Sequence, residues 1–200
     1  MTDEKKYNFR QYVYFERWTS YWYQLSGVFS LSPESVLVIG KGDGLVVDFL
    51  KKEGIEVKTL DNDAALSPDI LASVEQMPLA DNSFDCVLCA EVLEHLPFQK
   101  FDTCLWEIKR VVRKKVILSL PHFGPPFKLS FKIPFLREKK YAIKLPFPLK
   151  KRIGKEHHWE IGRKGFSASK IRRLIKNNFK IEREYVPFEN QYHRFYLLEK

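Results

Sequence analysis

Gly40, Gly42 and Gly44 occupy alternate positions at the end of an apolar run, VLVIGKGDG over residues 36–44, and glycine lets main chain approach a ligand closely. The spacing is G-x-G-x-G. A dinucleotide fingerprint needs its third glycine one place later, and a phosphate-binding P-loop needs a G-K-[ST] that does not follow. Asp61 lies 17 residues beyond Gly44, at the end of a second strand-like run, where a carboxylate can accept hydrogen bonds from both hydroxyls of a ribose. Together these features predict a ligand that carries a ribose and need not carry a pyrophosphate. Glu91 follows a third apolar run, FDCVLCA, with Glu94 and His95 behind it; Glu91 is expected near the ligand, while His95 suits a structural role equally well. The phrase GKEHHWEIG concentrates His157, His158, Trp159 and Glu160, pairing a proton acceptor for near-neutral pH with an aromatic wall. The same phrase could instead close its segment against the rest of the fold. Adjacent histidines point apart, so a metal centre made of His157, His158 and Glu160 is not expected.

The elements that must position these residues alternate between strand and helix. SVLVIG reads as a buried strand, LVVDFLKKEG as a helix closed by Gly54, and EVKTLD as a second strand ending at Asp61. FDCVLCA and KVILSL are near-continuous apolar strands of the kind that suit a parallel sheet covered on both faces, and a helix marked by Phe101, Cys104, Leu105 and Ile108 separates them. From Pro121 to about Gly165, prolines at 121, 125, 126, 134, 146 and 148 break the rhythm, which predicts an irregular, functional insertion over 121–165. Ser167 then caps a helix carrying Ile171, Leu174 and Ile175, and KIEREYV and RFYLLE make two closing strands. At the other end, Tyr14, Trp18, Tyr21, Trp22 and Leu25 fall at helical spacing within an aromatic segment over 1–30, and such a stripe is ordinarily a core contact. The pattern predicts one α/β domain over 1–200.

Charge is uneven. Residues 1–112 hold 11 Lys/Arg against 18 Asp/Glu, and residues 113–200 hold 23 against 7. The basic excess is densest from Lys128 to Lys155, where ten Lys/Arg meet one acid, Glu138, among Phe and Pro residues. That stretch suits either an anionic partner such as a membrane surface or a solvated loop. No apolar run approaches the length of a membrane span, and MTDEKKYNFRQ lacks the apolar core of a signal peptide, so a cytoplasmic protein is expected. Cys86, Cys89 and Cys104 read as buried reduced thiols, because C-x-x-C here has no second ligand pair.

VLVIGKGDG, then TLDND, then MPLADNSFDCVLCAEVLEHLP resemble the glycine motif, ribose-binding acid and fourth-strand motif of class I S-adenosylmethionine-dependent methyltransferases, over roughly residues 34–120. The resemblance implies a Rossmann-like three-layer sandwich with a seven-stranded, mostly parallel sheet whose last strand is antiparallel. It implies S-adenosyl-L-methionine as cofactor, with Gly40, Lys41 and Gly42 near its methionine part, Gly44 in the same cofactor-binding turn, Asp61 on the ribose, Asn62 beside the adenine and Glu91 close by. Where relatives carry an acid for the adenine amino group this chain has Ser73, followed by Val74; where they carry an acid to help hold the ammonium it has Val38; and Lys41 brings a cation into the glycine turn. Those departures motivate a rival reading, a catalytically inactive methyltransferase-like binding module for an anionic partner, whose site is unable to accept the cofactor.

The acceptor is narrowed by what is missing. Amino-directed nucleic-acid enzymes place an Asn/Asp-Pro-Pro-Tyr/Phe turn after the fourth strand, and cytosine-C5 enzymes need a Pro-Cys nucleophile; this chain has CAEVLEHLP and no Pro-Cys, so base methylation by those routes is not expected. The fourth-strand phrase resembles instead the small-molecule and lipid-quinone branch. H-x-W-E-I-G and the ending ENQYHRFYLLEK are similar to phrases in a small group of uncharacterised bacterial methyltransferases. The expected reaction is methyl transfer to oxygen or nitrogen of a small, lipid-linked or sugar-linked acceptor.

Overall fold

Every residue of the strand Ser35–Ile39 is buried, which requires cover on both faces of the sheet it belongs to. The computed structural model describes residues 12–145 and 156–200. In chain order the elements are α1 (Phe15–Phe29), β1 (Ser35–Ile39), α2 (Leu45–Lys52), β2 (Glu56–Asp61), β3 (Ile70–Leu71), β4 (Phe84–Ala90), α3 (Phe101–Val111), β5 (Val112–Pro121), β6 (Pro126–Phe131), β7 (Lys139–Lys144), α4 (Ala168–Asn178), β8 (Lys180–Tyr185) and β9 (His193–Glu199). Seven strands form one sheet in the order β3-β2-β1-β4-β5-β9-β8. The pairs from β3 to β5 are parallel, and β9 is antiparallel to both β5 and β8. This is the expected Rossmann-like α/β sandwich. One apolar layer, holding Leu37, Val87, Ile108 and Ile171, packs under α3 and α4; the other, holding Val36, Leu88, Val47 and Val28, packs under α1 and α2.

Local chemistry sets the helix ends. Gly54 takes φ +84° just past α2, and the Ser167 hydroxyl accepts from the Lys170 amide to cap α4. All three cysteines are buried and free, and burial pushes the Cys86 thiol up to about 12.

The insertion differs from the expectation of irregular chain. β6 and β7 pair antiparallel as a separate hairpin, directed by the alternation in FKLSF and KKYAIK, which the prolines flank without interrupting. Residues 146–155 of the insertion and 1–11 of the N-terminal segment lie outside the described residues. Among the described residues no helix is long and apolar enough to cross a membrane.

Candidate functional site

β1 ends at Ile39, and the Gly40 amide donates to Leu60 O at 2.8 Å, so the chain turns beside β2 before entering α2. The turn needs glycine at Gly40 for two reasons. Its φ is +80°, and a Cβ there would lie 2.4 Å from Val92 Cγ2. Asp61 closes the turn from the end of β2: its Oδ2 accepts from the Lys41 amide at 2.8 Å and its Oδ1 from the Asp63 amide at 3.0 Å. Each oxygen has a further lone pair for a ligand hydroxyl. The Lys41 side chain leaves the turn, and its Nζ donates to the carbonyls of Leu66 at 2.6 Å and Ser67 at 3.0 Å. Its cation therefore does not occupy the space above the glycines.

A cleft of about 420 Å³ opens over the carboxyl ends of β1, β2 and β4. That is where an open α/β sheet binds its ligand. Gly40, Lys41, Gly42, Asp61, Asn62, Ser73, Val74 and Glu91 all line it. Gly44 does not; at φ +80° it begins α2 instead. A smaller depression of about 360 Å³ lies at the opposite ends of β1 and β4, where Asp85 accepts from the Glu34 and Ser35 amides and faces Arg113. Those contacts explain its polar walls as structural.

One wall of the cleft is α1. The aromatic stripe expected to enter the core does so only in part: Tyr21 and Val28 are buried, together with Ser20 and Gln24, while Trp18 and Trp22 stand 51% and 65% exposed. The inward face is polar because it borders a cleft. Tyr21 donates to Asp43 at 2.7 Å, tying α1 to the glycine turn. Arg17 lines the cleft as well, with Nη1 donating to the Tyr12 hydroxyl and a buried Nε that has no partner among the described residues.

The far end of the cleft gathers carboxylates and imidazoles. Glu91 sits at φ +55°, a strained value for a non-glycine residue, and its carboxylate accepts from Ser119 Oγ at 2.8 Å and faces His193 Nε2 at 3.4 Å. Burial pushes the Glu91 carboxyl up, and burial next to Arg17 and His157 pushes the His193 imidazole down to about 3, so His193 is neutral. Ser20 Oγ contacts its Nδ1 at 2.8 Å. Sequence reasoning missed His193, Tyr192, Arg17 and Tyr21; the phrase ENQYHRFYLLEK carries the first two, but nothing in its periodicity turns them toward a site.

The HHWEIG phrase divides its residues among three tasks. His157 lines the cleft, whereas His158 is exposed and outside the lining, and its amide donates to Glu94 O. Trp159 is not a pocket wall but fully buried core: its Nε1 donates to Leu96 O, and its ring packs on Phe98, Phe101 and Phe166. Glu160 is 3% exposed and accepts from His157 Nδ1, the Tyr192 hydroxyl and Arg163 Nε at 3.1, 2.7 and 2.9 Å. Burial alone would raise its pKa, but those three donors and the Arg163 charge hold it down at about 2. Ile161 bridges to His122 at the end of β5, and Gly162, at φ +88°, passes so close to Phe123 O that a Cβ would lie 2.4 Å away.

Comparison with known proteins bears on the fold. Residues 37–120 match a family model described as a methyltransferase domain. No curated protein sequence matches the chain. Among solved structures the fold is similar to magnesium protoporphyrin IX methyltransferase from Synechocystis PCC 6803 with bound S-adenosylmethionine, at 14% identity and a TM-score of 0.62, covering 92% of this chain and 80% of that one. It is also similar to 1,6-didemethyltoxoflavin-N1-methyltransferase from Burkholderia thailandensis, with bound 1,6-didemethyltoxoflavin and S-adenosylhomocysteine, at 15% identity and a TM-score of 0.58, covering 92% and 80%. An S-adenosylmethionine-dependent methyltransferase from Clostridium acetobutylicum has a TM-score of 0.61 at 10% identity, covering 95% and 93%. The rival reading of an inactive module finds no support, since neither Lys41, Val38 nor Ser73 fills the cleft.

Proposed function

We propose that this chain, a methyltransferase that uses S-adenosylmethionine, methylates an oxygen or nitrogen of a small lipid-linked acceptor presented at an anionic membrane surface. The cofactor supplies an electrophilic methyl group when bound. The chain's own residues have to hold the acceptor in line with it, and positioning of that kind can supply much of the acceleration. The cleft supports Gly40, Gly42 and the Lys41 main chain beside the methionine part, Asp61 on the ribose, and Asn62, Ser73 and Val74 around the adenine. Glu91 and His157 then face the acceptor side, with Glu160 orienting the His157 ring. Asp61→Ala is expected to weaken S-adenosylhomocysteine binding by about 1–3 kcal/mol in calorimetric titration, because a charged acceptor of hydrogen bonds is lost. Unchanged affinity would move the ribose elsewhere.

The observation that carries the membrane-linked acceptor is the β6–β7 hairpin. Its pairs Phe127↔Ile143 and Leu129↔Tyr141, with Phe131, put five apolar side chains on one face, each between 46% and 60% exposed. Ile133, Phe135 and Leu136 extend the apolar surface over the tip, Phe135 being wholly exposed. The opposite face leans on the protein: Lys128 and Lys140 lie over the Phe188 ring, and Lys140 pairs with Glu189, which also accepts from Tyr23 of α1. Between Lys128 and Lys144 six Lys/Arg meet one acid. Lys139 shares the apolar face, and Lys132 and Arg137 lie in the segment that joins the two strands; apolar side chains beside cations suit insertion at an anionic lipid interface, where each Lys or Arg adds about 1 kcal/mol. The loop Phe188–Tyr192 joins the hairpin's support to the cleft, so a surface-held acceptor would meet the acceptor end of the site.

Flotation with vesicles tests this. The protein is expected to bind vesicles containing phosphatidylserine, to bind neutral phosphatidylcholine vesicles more weakly, and to lose affinity as salt is added. Phe127→Glu combined with Leu129→Glu and Ile143→Glu should abolish binding while S-adenosylhomocysteine affinity stays at the wild-type value. Equal binding by the triple variant, or no binding to anionic vesicles at low salt, overturns the membrane reading and leaves a freely diffusing acceptor.

A further inference from the structure

Glu94, His95 and His157 each offer one ligand atom, and the three atoms lie within 4.8 Å of one another. The first two come from the turn Leu93–His95 after β4, and the third arrives from the HHWEIG phrase, which the backbone bond from His158 to Glu94 O holds against that turn. All three line the cleft at its acceptor end. Glu94 is completely buried, and neither of its carboxylate oxygens has a hydrogen-bond partner among the described residues. A carboxylate withdrawn from water without a donor is costly, and a cation is one of the few things that offsets the cost.

The histidines are arranged for the same purpose. His95 Nδ1 lies 2.9 Å from Glu156 O, and a carbonyl only accepts, so Nδ1 carries the proton and the lone pair sits on Nε2. His157 Nδ1 lies 3.1 Å from the Glu160 carboxylate, which imposes the same tautomer. The two rings stand edge to face with centroids 4.9 Å apart. A ring nitrogen that donates to a carbonyl or carboxylate is the contact that orients metal-ligating imidazoles.

We infer that Glu94, His95 and His157 form a divalent-metal site at the acceptor end of the cleft. Two imidazoles and one carboxylate suit a first-row transition cation such as Zn²⁺ or Mn²⁺ and leave coordination positions open. Cation binding itself does not depend on the identity of the acceptor; its use in catalysis rests on the methyl-transfer reading above. There, an acceptor hydroxyl on the metal would release its proton to solvent more readily than in water. The oxygen would then form the new bond to the methyl carbon as the carbon–sulfur bond breaks, the electron pair staying on sulfur, to give the methyl ether and S-adenosylhomocysteine. On this reading His157 is a ligand rather than a free proton acceptor.

The test uses untagged full-length protein, stripped with a chelator, dialysed, and titrated at neutral pH with Zn²⁺ by calorimetry and with Co²⁺ by its visible absorption. One equivalent is expected to bind. Glu94→Gln and His157→Ala should each weaken binding at least about tenfold, while His158→Ala should not change it. Circular dichroism and thermal melting of each variant separate lost ligation from lost fold, and Glu94→Gln keeps the shape of the side chain while removing its charge. Absence of a stoichiometric site in the wild type, or equal affinity in folded Glu94→Gln and His157→Ala, overturns the inference. If metal binds as expected but S-adenosylhomocysteine does not, the methyl-transfer reading fails and the metal site stands.

Discussion

Trp159→Ala should cost about 3–5 kcal/mol of folding free energy, the range for removing a large aromatic side chain from a packed core. The side chain is fully buried, with ring centroids of Phe101 at 5.0 Å and Phe98 at 5.1 Å, both nearly perpendicular to it. Alanine would leave a cavity between α3, the β4–α3 turn and the start of α4, and would strand the Leu96 carbonyl that the indole N–H satisfies at 3.2 Å. Urea unfolding of the wild type and the variant measures the difference. Trp159→Phe should lose less, since it keeps most of the edge-to-face contacts and forfeits chiefly the hydrogen bond. A loss below about 1 kcal/mol for alanine would mean that the ring is a pocket wall, and the defect should then fall on acceptor turnover in the folded protein. The residue also has a consequence for the site. It is the nail that holds His157 and Glu160 in place, two positions before it and one after.

Much of the scaffold is legible in the sequence because the signals are local. The glycine turn follows directly on the apolar run of β1, and Asp61 terminates β2, so the position of the cleft follows from strand ends alone. The helix caps at Gly54 and Ser167 are one-residue effects. What escaped was set by long-range packing. Trp18 and Trp22 share helical spacing with Tyr21, yet of the three only Tyr21 turns inward, because the face that meets the cleft is taken by Ser20, Gln24 and Arg17 rather than by another large ring. Glu94 and His157 approach only when the HHWEIG phrase is pinned by Trp159 and bridged to β5, and no spacing rule relates residues so far apart in the chain. His193 pairs with Glu91 across two strands, at the point where β9 begins antiparallel to the end of β5. The hairpin is the opposite case. Alternation at Phe127, Leu129 and Phe131 was a readable strand signal, and the surrounding prolines pointed to irregular chain instead.

Glu160→Ala should be about as damaging as the tryptophan variant, at about 3–5 kcal/mol, because it breaks a buried ion pair from one side. Arg163 is 9% exposed at its side chain, and its guanidinium stacks on Phe123 with 3.6 Å to the ring centroid, so it cannot simply turn to water when the carboxylate is gone. The same substitution removes the acceptor of the Tyr192 hydroxyl and of His157 Nδ1. Glu160→Gln offers a graded comparison: its amide oxygen can still accept from Tyr192, but the charge opposite Arg163 is lost, so an intermediate destabilisation is expected. Removing both partners, in Glu160→Ala with Arg163→Met, should recover part of the loss, since a methionine stem can keep the packing against Phe123 without a charge to compensate. A double variant no more stable than Glu160→Ala would show that the energy resides in the bonds to Tyr192 and His157 and not in the ion pair. The two accounts also differ at the site. If Glu160 orients His157, Zn²⁺ affinity should fall in Glu160→Gln, although the carboxyl group itself never touches the cation, whereas a purely structural ion pair would leave that affinity unchanged in the folded variant.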